Sequence, residues 1–321
     1  MRKRYKYQGL NRLVHKIIDG VRFMLLATVI GSFPRREDLD FRENILLALE
    51  SQIKAGINLI SDGQTRADMI TYFAEHAKGL QSKNGKWYIT DKIEHDGKSV
   101  AAEDLKWVKE YLKEKYGGKA PLLKGIITGP VTMVMSGMLK TKEYKGYRDP
   151  KLYNDMGQFV NTEAQLQLEA GVDVIQIDEP FYSVGAPMEL AKEAVRIARE
   201  NVKKPVHLHV CGDITKVFDI LLDFPVDVLS HAFAGYPVNF NVISKDKLVK
   251  AKKKLGVGCV RSDTPELEEV PSVVELLRKV IELVGKENII AHPDCGLRGL
   301  KDDKIAAEKM IRMVKALKEI E

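Results

Sequence analysis

Eight short apolar, mostly β-branched runs punctuate the chain: FMLLATVI (23–30), INLIS (57–61), PLLKGIIT (121–128), DVIQI (173–177), VHLHV (206–210), VDVLS (226–230), LGVGCV (255–260) and NIIAH (288–292). Their length and composition predict strands. Longer stretches separate them, such as FRENILLALESQIKAG, DPKLYNDMGQFVNTEAQLQLEAG and SVVELLRKVIELVG. Apolar residues there recur three or four apart and the pattern often stops at Gly, as helices do. Eight strand–helix units predict an α/β protein, a (β/α)8 TIM barrel. The stretch SKNGKWYITDKIEHDGKS (82–99) breaks the rhythm with alternation and a Gly turn, and predicts a hairpin insertion after the second unit. Near the start, Leu10, Leu13, Val14, Ile17 and Ile18 are helically spaced. Residues 1–21 are therefore expected to form an amphipathic helical extension, and 22–321 a single (β/α)8 barrel.

Composition narrows this picture only a little. The 321 residues can bury a large core, and 45% hydrophobic with 30% charged residues is ordinary for a globular protein. The net charge of +6 is spread among acidic residues rather than gathered in a block, so no nucleic-acid partner is implied. No apolar run reaches the length of a membrane span, and the basic N-terminus lacks a continuous apolar segment of the signal-peptide kind. Three cysteines, Cys211, Cys259 and Cys295, cannot build a disulfide framework. That odd count fits a reducing compartment, and a cytoplasmic location is expected.

A barrel places its active site where the strands end. The residues just past the eight runs are small, polar or ligating: Gly31-Ser32, Asp62-Gly63-Gln64, Thr128-Gly129-Pro130, Asp178-Glu179-Pro180, His209 with Cys211, His231, Ser262-Asp263, and Asp294-Cys295. Within VHLHVCGD, His209 and Cys211 stand two apart and so point to the same side of an extended backbone. With Cys295 from the HPDCG loop they offer an imidazole and two thiolates, a donor set suited to Zn²⁺ with one position left open. The alternative is that the two cysteines are small buried hydrophobes and His209 a hydrogen-bonded core residue. Cys259, inside GVGCV, reads as core. His292, three residues before Cys295, reads as a loop histidine that could also orient the site, and Asp263 as a carboxylate near the mouth.

Four of these segments carry a resemblance. TVIGSFP, DEP after VIQI, HLHVCGD and HPDCGL occur in the order and spacing of the catalytic C-terminal barrel of cobalamin-independent methionine synthases, from about Thr28 to Leu300. The chain looks like the short archaeal forms that lack the N-terminal barrel. The resemblance implies a zinc-dependent methyltransferase that acts on the thiol of homocysteine to form methionine. Zinc would be held by His209, Cys211 and Cys295, the homocysteine carboxylate at Ile30, Gly31 and Ser32, and its ammonium by Asp178. The physics agrees: coordination removes the thiol proton yet leaves a nucleophilic sulfur, and a buried ammonium needs a charged partner.

The sequence departs from the family pattern at four places. Where the family supplies a Glu as a further zinc ligand the chain has Ala232, with His231 beside it as a candidate replacement. A second acid near the substrate amino group becomes Gln64, which accepts a hydrogen bond without bringing charge. A Trp after TGPVT becomes Met135, and a Glu soon after DEP becomes Val184. With less aromatic surface to stack a pterin, the methyl donor is expected to be a methylated corrinoid, either methylcobalamin or a corrinoid protein. Two other readings stay open: a methyltransferase for another thiol, and a degenerate barrel that binds without catalysis as the companion of a paralogue.

Overall fold

The computed structural model describes residues 25–321; the helix expected over 1–21 lies outside them. Eight parallel strands form one sheet: β1 (Leu26–Ala27), β2 (Leu59–Ile60), β3 (Leu122–Thr128), β4 (Val174–Asp178), β5 (Val206–His209), β6 (Val228–Ala232), β7 (Lys254–Val260) and β8 (Ile289–Pro293). Their order is β1-β8-β7-β6-β5-β4-β3-β2, and a parallel bridge between Thr28 and Leu59 joins the two ends. Helices follow the strands and wrap the outside, so the chain is a (β/α)8 barrel.

The seam between β1 and β2 is shorter than the apolar runs there suggest. Side chains do part of the ladder's work: Asn58 Oδ1 accepts from Ala27 N at 2.6 Å, and Thr28 Oγ1 donates to Leu59 O at 2.7 Å. Elsewhere the pairing is regular, and β3 to β8 are buried on both faces, as parallel strands inside a helical ring must be.

Local signals set the helix ends. In the first long helix, Phe41–Ala55, Asp40 and Glu43 form a reciprocal capping box, and Gly56 closes the far end at φ +87°. The insertion after the second unit is an antiparallel hairpin, Ala77–Lys83 against Lys86–His95, turning at Asn84-Gly85 with both φ positive. A third short strand, Gly137–Leu139, adds to its edge in parallel. Among the described residues, no helix is long and apolar enough to cross a membrane.

Candidate metal and substrate centre

At the mouth of the barrel His209 closes β5, level with Asp178 at the end of β4 and Ser230 on β6. Cys211 follows in the loop, where Gly212 turns the chain at φ +86°. Cys295 comes from the loop after β8. One ligand atom from each of His209, Cys211 and Cys295 lies within 4.8 Å of the other two. His209 is 2% exposed, and neither of its ring nitrogens has a nitrogen or oxygen partner; the polar group that engages it is the Cys295 thiol. A buried imidazole whose nitrogens meet no partner stronger than a thiol is under-satisfied, and a metal ion would satisfy it. The two thiols interact: a hydrogen bond from Cys295 holds Cys211 below its ordinary range, and Cys295 is pushed well above its own. An imidazole and two sulfurs in this reach fit a borderline-soft ion such as zinc, by donor chemistry and by the under-satisfied imidazole alike.

Two buried carboxylates brace this arrangement. Asp294 accepts backbone hydrogen bonds from Phe233, Ala234 and Gly235 at 3.0, 3.1 and 2.6 Å, which ties the loop after β6 to the loop carrying Cys295. Glu179 of the DEP segment is engaged outside the ligand group. It accepts from the backbone of Val131 and Thr132 and from Thr132 Oγ1, at 2.9, 2.8 and 2.6 Å, and so caps helix Pro130–Ser136. A Cβ at Gly129 would collide with that carboxylate, so only glycine fits there.

The Ile30–Ser32 turn reaches the same place from β1. Leu297 N and Arg298 N donate to Ser32 O at 2.7 and 3.1 Å, docking the Cys295 loop onto the turn. Ile30, Gly31, Ser32 and Cys295 line one narrow recess, together with Val29 and Phe33. Gln64, buried and in the left-handed region at φ +43°, leans on this turn. A Cβ at Gly31 would lie 2.8 Å from its Oε1, while its Nε2 donates to Ile126 O at 3.3 Å. Asp178 stands beside His209 in the neighbouring strand. Burial pushes its carboxyl upward, against the pull of His209, Gln176 and Lys124.

Other sequence candidates fall elsewhere. His231 is not a member of the His209–Cys211–Cys295 group. Its Nδ1 donates to Val210 O at 3.0 Å, and its ring meets Phe218 edge-on at 5.8 Å between centroids. Alternation explains this: Ser230 and Ala232 share the face that looks toward His209, and a residue between them must turn to the helix layer. Burial lowers the His231 pKa to about 3, so the ring is neutral. His292 is a correction to the loop reading: it is fully buried within β8, its ring edge-on to His209 at 6.1 Å. Asp263 is exposed and paired with Arg261 at 2.9 Å, outside the centre. Cys259 is core, as expected. Met135 is exposed near the end of helix Pro130–Ser136 after β3, and Val184 is exposed at the end of a 3-10 turn, Pro180–Val184, after β4.

Residues 25–319 match the family model described as "Cobalamin-independent synthase, Catalytic domain". The chain belongs to this family. It is 35% identical over 312 residues to a methionine synthase of Methanothermobacter marburgensis, covering 92% of this chain and 100% of that one. It is 30% identical over 319 residues to a methionine synthase of Methanocaldococcus jannaschii, covering 92% and 99%. Among solved structures, a B12-independent methionine synthase from Shewanella, in complex with selenomethionine, superposes with a TM-score of 0.79 at 23% identity, covering 93% of this chain and 98% of that one. Membership makes the chain a methyltransferase of the methionine-synthase class.

Beyond the family motifs, the centre contains residues that motif reasoning passed over. Lys124 and Gln176 lie in the middle of β3 and β4, both buried, and both hydrogen-bonded into the mouth. Burial lowers the Lys124 ammonium, with Asp178 pulling it back up. Arg298, largely buried, donates to the carbonyls of Gln64 and Ala67 and so joins the loop after β8 to the loop after β2. A signal for the first two was present: a Lys and a Gln stand inside otherwise apolar strand runs, where a polar side chain requires a reason.

Proposed function

We propose that this chain is a zinc-dependent methyltransferase that makes methionine from homocysteine, using a methylated corrinoid as donor. The observation that carries the reading is the convergence of His209, Cys211 and Cys295, with a buried imidazole that has no nitrogen or oxygen partner. These three residues would hold the ion. Zinc bound there would lower the pKa of a substrate thiol, so that a sulfur nucleophile is available near neutral pH. The protein's own residues do the rest. The Ile30–Ser32 turn receives the carboxylate, and Asp178 receives the ammonium in a buried setting where a charge-assisted hydrogen bond is worth most. The substrate thiol loses its proton to solvent, a carbon–sulfur bond forms to the methyl group, and the methyl–donor bond breaks with its electrons left on the donor.

Met135 and Val184 favour the corrinoid, because neither gives a pterin an aromatic face or an acid partner. A methylated folate is the second reading, favoured by the family's description as cobalamin-independent. Methionine formation from homocysteine with methylcobalamin, compared with methyltetrahydrofolate, separates them: the corrinoid is predicted to support turnover and the folate to give less than about a tenth of the rate, a difference of ~1.4 kcal/mol in barrier. The reverse preference overturns the donor. If ethanethiol or another simple thiol were methylated faster than homocysteine, the reading of the substrate itself would fall.

A further inference from the structure

Strand β1 stops pairing at Thr28, so the carbonyls of Val29 and Ile30, just ahead of Gly31 and Ser32, run on beyond the ladder. Side chains from two other strands take them up. Lys124 Nζ, fully buried in the middle of β3, donates to Val29 O and, at 2.6 Å, to Gln176 Oε1. Gln176, equally buried in β4, gives one amide hydrogen to Ile30 O at 2.6 Å and the other to Asp178 Oδ1 at 2.7 Å. Chemistry fixes the orientation of this amide. Turned over, it would set an NH2 against the Lys124 donor and an oxygen against two acceptors.

We propose that Lys124 and Gln176 are positioning residues that fix the separation between the Ile30–Ser32 turn and the Asp178 carboxylate, and thereby select a thiol with an α-amino-acid head over one that lacks the amino group. The inference rests on the reading of those two elements as the carboxylate and ammonium sites of homocysteine. Both groups of an α-amino acid hang from one carbon, so their receivers must be held at one spacing to be engaged together. The turn and Asp178 come from strands that are not neighbours in the sheet, and the Gln176 amide bridges them directly. As a mere filler Lys124 would be a poor choice, since an apolar side chain of that size would occupy the barrel without desolvating an amine.

The test compares homocysteine with 4-mercaptobutanoate, which keeps the sulfur and carboxylate and lacks the amino group, in the wild type, Gln176→Met and Lys124→Met, with zinc per chain measured for each. Gln176→Met is expected to raise the homocysteine KM by about tenfold or more and to erode the preference over 4-mercaptobutanoate by a similar factor, while kcat changes less and zinc content stays at the wild-type value. Lys124→Met is expected to move in the same direction. Gln176→Asn, which keeps the amide but is one methylene too short to bridge, provides a second variant if the methionine substitutions do not fold. A preference ratio that stays at the wild-type value in folded variants overturns the relay alone. Wild-type protein that does not prefer homocysteine brings down the underlying reading, and this shows before any variant is made.

Discussion

At the residue scale the proposed zinc centre rests on His209, whose buried imidazole has no nitrogen or oxygen partner and meets only the Cys295 thiol. Cys211→Ser replaces a soft sulfur by a weakly ligating hydroxyl while leaving side-chain volume nearly unchanged. It is predicted to lower methionine formation by at least about a hundredfold, the scale of a ~2.7 kcal/mol loss, with an unaltered melting transition in metal-free buffer. Circular dichroism and an activity assay check both halves, and full activity in this variant would contradict the metal centre. The pairing of His209 with Cys211 was legible because a two-residue spacing on a strand has one geometric meaning. The side on which His231 lies was legible by the same rule, yet its chemical identity as a metal-binding type competed with its place in the alternation. His292 was misread for a different reason: the Pro and Gly after it suggested a loop, whereas β8 continues through Pro293.

At the scale of elements, the barrel closes at its weakest pairing, and Asn58, alongside Thr28, helps to hold that seam. The Asn58 side chain accepts from Ala27 N at 2.6 Å while its own backbone N donates to Ala27 O at 3.2 Å. Asn58→Ala leaves the Ala27 donor without its partner and is predicted to cost about 1–3 kcal/mol, read from denaturant unfolding. No loss would mean that the seam does not depend on this side chain. All eight strands were legible from apolar runs, but not how far each one pairs. Pairing length depends on the neighbour's register and on side chains such as Asn58 and Thr28, which a single run does not reveal. The polar residues inside β3 and β4 show the complementary limit. Lys124 and Gln176 sit within strands identified by their apolar neighbours, so the pattern that located the strands also obscured their two most informative members.

For the whole molecule, the strand-end half of the barrel gathers acids whose burial raises their pKa: Asp62 to about 6 and Glu179 to about 7. In each case the folded state binds the proton more tightly than the unfolded chain, so stability falls as pH rises from about 4 through those values. Metal-free protein is therefore predicted to melt at a higher temperature at pH 5 than at pH 7.5, and Glu179→Gln to flatten that dependence; a flat wild-type profile would contradict the assignment. Fold and site location follow from one global regularity, that strand ends of a barrel face the same solvent, and the sequence displays it in the polar residues after each run. The bracing by Asp294 and Arg298 links loops far apart in the chain, and only the closed barrel brings those partners together.

The most direct test of the central claim is zinc per chain, by elemental analysis of protein purified under reducing conditions, in the wild type, Cys295→Ser and His231→Ala. One zinc per wild-type chain, lost in Cys295→Ser and kept in His231→Ala, is the predicted result, because the three proposed ligands from β5 and the loops after β5 and β8 converge without His231. Protein that takes up no zinc when it is supplied, or that keeps it after Cys295→Ser, would contradict a zinc centre at the mouth of this barrel.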